Sequence, residues 1–233
     1  MMRWVSIAAA VAAGVPYAHA GPWLRHAEET YSRLAVTRSQ IESLDALRLD
    51  TYAEHGLNER WTLTLKYERL EFDDVSQFNE DGWRVTARRG AKLTDSAVGS
   101  LEFGVLQGAA IGGAAACEAF GAEARAGIGQ SIKFETKKRS IPAYWFAETA
   151  VRYHEDGCSR QRLEFGYGQQ VLGDIWAISQ VWLEDGSHNA ASTKYQFEYL
   201  WKADRFDISV GTQTELGGQF EESAVFFAVS RVF

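Results

Sequence analysis

Apolar and polar residues change places at almost every step along this chain. Trp61, Leu63, Leu65 and Tyr67 alternate with Thr62, Thr64, Lys66 and Glu68. Trp83, Val85 and Ala87 alternate with Arg84, Thr86 and Arg88. Leu163, Phe165 and Tyr167 alternate with Arg162, Glu164 and Gly166, and Tyr195, Phe197, Tyr199 and Trp201 with Lys194, Gln196, Glu198 and Lys202. A β-strand turns successive side chains to opposite faces, so each segment has one apolar and one polar face. Pattern counting gives about twelve strands, over 28–38, 45–57, 60–72, 83–94, 97–107, 119–134, 142–154, 159–172, 175–184, 193–202, 205–215 and 222–233. Ten and fourteen strands stay open as counts, and segment 39–50 could hold a helical turn instead.

Turns test the pattern. A two-residue loop at Ala203-Asp204 would set Trp201 opposite Phe206, Tyr199 opposite Ile208 and Phe197 opposite Val210. All six would then share one face, with Glu198, Lys202, Arg205 and Ser209 on the other. Short connections at Asn58-Glu59, Thr94-Asp95, Gly173-Asp174 and Ala203-Asp204 alternate with longer ones at 73–82, 108–118, 185–192 and 216–221. Short turns at one rim and long loops at the other characterise outer-membrane barrels, the short ones being periplasmic. The chain ends at Phe233, with Val225, Phe227 and Val229 on the same parity and Arg231 the exception. This resembles the terminal-strand signal read by the bacterial barrel-assembly machinery, which is therefore an expected partner. Arg231 could snorkel to the interface, or the last strand could be bulged. The reading is an all-β, antiparallel transmembrane β-barrel. Phe197, Tyr199 and Ile208 are expected against lipid, with Trp201 and Phe206 in an aromatic girdle at the periplasmic rim.

The N-terminus changes the address. Arg3, a short apolar run over 4–15, Pro16 and Ala18-His19-Ala20 have the layout of a secretory signal peptide cleaved after Ala20. Residues 1–20 are thus excluded from the fold, leaving 21–233 as one barrel in the outer membrane, surrounded by lipid and lipopolysaccharide. The formal net charge of -7 and the absence of a polybasic tail argue against nucleic acid as a partner. The two cysteines, Cys117 and Cys158, are expected to form a disulfide in an oxidising compartment. They fall in the connections after the fifth and seventh strands, hence at one rim.

The polar face carries the candidate function. Lys66, Glu68, Arg84, Arg88, Glu102, Glu123, Arg125, Lys133, Glu148, Arg152, Arg162, Glu164, Glu198 and Lys202 are expected to point into the lumen. Twelve strands at ~4.7 Å spacing and ~40° tilt give a backbone diameter of roughly 24 Å, more than half of which side chains remove. Gly104, Gly127, Gly129, Gly166, Gly168 and Gly211 supply small positions. The charges either plug the barrel as an ion-pair lattice or line a narrow polar passage, and the passage is the preferred reading.

Catalytic and metal patterns are thin. Ser187-His188-Asn189 has hydrolase residue types, but side by side in a loop, where no relay geometry follows. His154-Glu155-Asp156 ends a strand without a second nearby histidine. Glu184-Asp185-Gly186 could touch calcium or lipopolysaccharide-bound cations in a loop. The Gly/Ala run over 108–116 lacks the lysine of a phosphate loop. No catalytic residue, metal site or cofactor is assigned.

Gly21-Pro22-Trp23 and the phrase Tyr52-Ala53-Glu54-His55-Gly56-Leu57, followed by Arg60-Trp61-Thr62-Leu63, resemble a group of proteobacterial outer-membrane proteins. Its members carry Gly-x-Trp after the signal and a "YxEYGLTDxxTL"-like phrase, and are labelled putative transporters or XagA-like. His55 stands where the group has tyrosine, and Asn58-Glu59 where it has Thr-Asp. The resemblance implies an outer-membrane barrel and a link to exopolysaccharide, and it carries over no functional residue. Three functions follow in order: a passive channel or secretion component for a polar solute, with a saccharide suggested by the resemblance; a non-conducting structural or adhesion barrel; and a lipid-modifying enzyme.

Overall fold

A computed structural model describes residues 21–108, 117–135 and 139–233. The described chain is twelve antiparallel strands closed into one barrel. They are β1 (Thr30–Ile41), β2 (Leu44–Asn58), β3 (Trp61–Phe72), β4 (Glu80–Lys92), β5 (Ala97–Gln107), β6 (Gly121–Glu135), β7 (Ser140–His154), β8 (Ser159–Leu172), β9 (Ile175–Gly186), β10 (Ser192–Lys202), β11 (Asp207–Gly217) and β12 (Glu222–Val232). A single 3₁₀ turn, Ser76–Phe78, interrupts the connection between β3 and β4. Each strand pairs with its sequence neighbours, and β1 closes on β12 from Tyr31↔Val232 to Ile41↔Glu222. Closure leaves no sheet edge, so every strand's backbone groups find partners inside the sheet.

The period-two pattern is inverted relative to a soluble protein. Outward positions are apolar and exposed: Phe103 57%, Val151 55%, Val210 57% and Phe227 51%. Inward positions carry the charges and are buried. Such a surface is stable only against hydrocarbon, which is the binary pattern of a transmembrane barrel. Five connections lie at the rim where β1 begins and β12 ends, at 59–60, 93–96, 173–174, 203–206 and between β6 and β7. The longest ones, 73–79, 108–120 and 187–191, lie at the opposite rim. By the short-turn rule the first rim is periplasmic and the second extracellular.

Two expectations change. The hairpin after β10 has a four-residue turn, so Trp201 faces Ile208, Tyr199 faces Val210 and Phe197 faces Thr212. The register moves by two, which preserves the faces and leaves Phe206 and Arg205 in the turn. Segment 39–50 holds no helical turn: β1 and β2 run on to Ile41↔Leu44 around the tight connection Glu42-Ser43, where Glu42 takes a left-handed φ of 54°. Arg231 lays its guanidinium 4.6 Å from the centroid of the Phe233 ring. The expected signal segment, 1–20, lies outside the described residues.

Candidate functional site: a charged lumen closed by the N-terminal segment

Residues 21–29 precede β1 and enter the barrel. Their backbone joins the sheet only at its end, where Glu28 N–H donates to Gly56 O at 2.8 Å and Gly56 N–H to Glu29 O at 2.9 Å. Gly56 is required for this approach, because a Cβ there would lie 1.8 Å from the carbonyl oxygen of His26. Further in, Trp23 is 7% exposed and packs edge-on against Tyr144 and Phe146, with ring centroids 5.6 and 5.9 Å away. Tyr144 stacks in turn on Trp176. Ile178 and Leu200 complete an apolar cluster across the periplasmic half of the lumen. Burial of one tryptophan removes about 150–250 Å² from water, so side-chain packing, not strand pairing, holds this segment.

Polar contacts lock it. Arg25 donates through Nε to Glu54 Oε2 at 2.5 Å, and its backbone N–H donates to Thr62 Oγ1 at 3.0 Å. Arg88 donates through Nη1 to the Trp23 carbonyl at 3.0 Å and to Glu54 Oε1 at 2.9 Å, and through Nε to Glu102 at 2.7 Å. Tyr52 donates its hydroxyl to Glu54 at 2.5 Å. Glu54 thus accepts from two guanidiniums and a phenol, which is how a buried carboxylate keeps its charge. The two phrases that carried the family resemblance, around Trp23 and around Glu54 and Gly56, are the two halves of this one contact.

The small positions do not widen the bore. Gly127 and Gly129 make the slot for the segment: a Cβ on Gly129 would lie 2.8 Å from Trp23 Cζ2 and 2.9 Å from Pro22 Cγ. Gly166 and Gly168 sit under the rings of Phe146 and Tyr144, Gly211 under Phe226, and Gly104 against Thr86 and the backbone of β4. Each glycine is filled by a neighbour rather than left open.

Beyond the plug, toward the extracellular rim, lies a charged cavity of about 240 Å³. Of the expected lumen residues, Lys66, Glu68, Arg84, Arg88, Arg125, Glu148, Arg152, Arg162 and Glu164 line it. Glu102, Glu123 and Glu198 are buried behind them in ion pairs. Lys202 does not reach the cavity; it lies at the periplasmic end, with its ammonium 5.5 Å from the centre of the Trp176 ring. Lys133 is exposed near the end of β6. Sequence reading left out Arg33, Arg48, Asp50, Trp182, Glu184, Lys194 and Glu215, all of which line the cavity. Parity in β10 already put Lys194 on the face of Glu198, and the same rule carried into β1, β2, β9 and β11 finds the rest.

The ion pairs form a lattice. Glu123 accepts from Arg84 at 3.0 Å, from Arg125 at 2.8 Å and from Arg152. Lys66 bridges Asp50 at 3.1 Å and Glu68 at 2.7 Å. Arg33 meets Glu198 at 3.2 Å, Arg48 meets Glu222 at 3.0 Å, Lys194 meets Glu215 at 2.8 Å, and Arg162 meets Glu184. Several directly opposed cross-strand positions nonetheless carry like charges: Asp50↔Glu68, Lys66↔Arg84, Glu148↔Glu164 and Arg152↔Arg160. Such pairs oppose sheet stability and mark a lumen whose charge is not arranged for fold stability alone.

At the extracellular rim Cys117 and Cys158 are bridged, with Cα atoms 5.6 Å apart. The bridge ties the connection after β5 to the β7–β8 turn. His154 pairs through Nδ1 with the carbonyl of Ala119 at 2.8 Å and so serves that packing. Glu184, Asp185 and Gly186 end β9 rather than forming a loop; Glu184 lines the cavity, and Asp185 accepts from the Gly186 N–H at 2.8 Å. Ser187 accepts from the Ser159 N–H at 3.1 Å, and His188 and Asn189 take left-handed φ in the connection after β9. Among the described residues no cluster of three or more His, Cys, Asp or Glu side chains is placed to hold a metal ion. Most of the run 108–116 lies outside the described residues.

No family model and no curated protein matches the chain by sequence. Solved structures match it by fold. An outer membrane channel from Pseudomonas putida F1 superposes with a TM-score of 0.59 at 9% identity, covering 90% of this chain and 97% of that one. The KdgM porin in complex with disordered oligogalacturonate gives 0.53 at 10% identity, covering 86% and 99%. LpxR from Salmonella typhimurium gives 0.56 at 8% identity, covering 85% and 99%. The chain therefore has the fold of bacterial outer-membrane β-barrels. The outer-membrane barrel that the resemblance implied is shared by these structures; no sequence family stands behind the XagA-like label. At these identities the likeness carries the fold alone and leaves the activity to the lumen's own chemistry.

Proposed function

We propose that the protein is an outer-membrane channel for small polar solutes whose described state is closed from the periplasmic side by its own N-terminal segment. The observation that carries this is the contrast between the two ends of the lumen. One end is a charged cavity built from strand side chains. The other is blocked by residues 21–29, which are tied to the sheet backbone only at Glu28 and Glu29 and can leave without breaking a ladder. A saccharide is the favoured solute class, supported by the family resemblance and by the oligogalacturonate held by one protein of the same fold. With cations and carboxylates both lining the cavity, selectivity rests on where the charges sit rather than on one uniform sign. The signal peptide, the assembly machinery acting on the strand that ends at Phe233, and lipopolysaccharide as surrounding lipid belong to the same proposal.

The plug itself favours a second reading, a non-conducting barrel whose cavity binds a partner's polar group from outside. Swelling of liposomes in isotonic sugar separates the two. Protein with the segment displaced by Gly129→Leu admits sugar under the channel reading, whereas equal impermeability of folded wild type and variant supports the binding barrel. Release of fatty acid from labelled phospholipid or lipopolysaccharide is the outcome that would revive an enzymatic reading.

A further inference from the structure

The cavity's cations are not spread evenly. The wall made by β4 to β8 contributes Arg84, Arg88, Arg125, Arg152 and Arg162 to the lining, against Glu148 and Glu164. Counting the buried Arg160, Glu102 and Glu123 behind it, this wall carries six guanidiniums and four carboxylates of its own, and Glu54 from β2 and Glu184 from β9 reach across to pair with Arg88 and Arg162. Three of these arginines share the single carboxylate Glu123. Arg152 and Arg160 stand directly opposite across the β7–β8 pair, and Arg160 donates through Nε only to the sulfur of Cys117, at 3.4 Å.

Buried guanidinium donors on this wall lack acceptors. Among the described residues, Nε of Arg84, a residue 6% exposed, has no hydrogen-bond partner, nor does Nε of Arg162 or Nη2 of Arg160. Arg84 and Arg162 both line the cavity. An unmade hydrogen bond on a buried donor is costly, more so on a charged group. Water can satisfy such an N–H, but an ionised oxygen accepts from a guanidinium more strongly, and the planar fork matches a carboxylate or phosphate edge. The space suffices, since an apolar cavity of about 150 Å³ takes a benzene ring and this one is about 240 Å³.

The geometry points to an anion subsite on the β4–β8 wall, in which Arg84 and Arg162 hold the carboxylate or phosphate group of a single-ring or smaller polar solute. The inference rests on reading the cavity as the solute's path and names the chemistry that path selects. Solute enters from the extracellular rim, so the plug need not move for binding. Binding and conduction are therefore separable measurements.

The test is calorimetric titration of the full-length folded protein in detergent with glucuronate, glucose and inorganic phosphate. Glucuronate binds at one site and glucose at least tenfold more weakly, the scale of a charge-assisted hydrogen bond. Phosphate binding at the same site, displaced by glucuronate, assigns the oxyanion as the recognised group; glucuronate alone assigns a carboxylate. Arg162→Lys keeps a charge beside Glu184 but removes the unpartnered Nε, and weakens glucuronate severalfold. Glu164→Gln removes a carboxylate from the same wall and tightens it, which a merely structural role would not do. Equal binding of glucose and glucuronate, or glucuronate affinity unmoved by both variants, overturns the subsite. Anion binding without conductance in any variant defeats the channel and leaves the subsite standing; conductance without anion preference does the reverse.

Discussion

Undocking the N-terminal segment is the perturbation that bears most on this account. Two substitutions do it from opposite sides. Trp23→Ala empties a nearly buried site in contact with Tyr144 and Phe146, and truncation of a buried tryptophan costs about 3–5 kcal/mol. Nearly all of that falls on the docked state, because the strands keep their ladders without the segment. The docked-to-free ratio should therefore drop by about two to four orders of magnitude. Gly129→Leu reaches the same end from the wall: even its Cβ would sit 2.8 Å from the Trp23 ring. Pro22→Cys gives the readout. Pro22 is fully buried, and the two native cysteines are bridged, so a new thiol is labelled uniquely. Labelling by a maleimide follows the undocked population when docking is fast. In the Pro22→Cys protein it should be slow; adding Trp23→Ala or Gly129→Leu should speed it at least a hundredfold. Unchanged rates in both, with the barrel still running faster on gels unboiled than boiled, would refute the claim that packing in this slot holds the segment.

Two further outcomes follow from the fold. Val210, outward between Tyr199 and Phe227 on neighbouring strands, should tolerate arginine poorly: Val210→Arg should cost about 2–4 kcal/mol if it sits near the bilayer midplane, read as a lower urea midpoint in lipid vesicles, and a neutral result would move this face out of the hydrocarbon. Replacing Cys117 and Cys158 together with serine opens a loop of sequence separation 41 and should lose about 4 kcal/mol in the chain-entropy picture, again by urea unfolding; two free thiols in protein from intact cells would contradict the bridge.

The barrel was legible because a lipid-facing strand has no freedom in its pattern. Phe197, Tyr199 and Trp201 on one parity and Glu198 and Lys202 on the other suffice to orient β10, and a register error of two at the following turn left both faces intact. Rim assignment was legible for the same reason, and it placed Cys117 and Cys158 near enough to bridge. The plug was not legible. Residues 21–29 have no period and no ladder, and their partners Glu54, Arg88, Gly129 and Phe146 come from four different strands that meet only when the barrel closes. The inward glycines were visible, but a glycine facing a lumen reads equally as open bore or as a seat for a neighbour's ring. Here Gly127, Gly129, Gly166 and Gly168 are seats. Parity gave Lys202 its inward face but not its depth: it lies at the aromatic cluster, not in the cavity.

Single-channel recording across planar bilayers tests the central claim most directly. The full-length protein should insert and stay closed, with rare openings. The Gly129→Leu protein, and a chain lacking residues 21–29 behind its signal segment, should show stable open steps. Their current should show anion preference in a salt gradient, reduced by Arg162→Lys. Folded, inserted variants that pass no more current than the full-length protein would contradict the account and make the barrel a closed receptor for whatever its arginine wall holds.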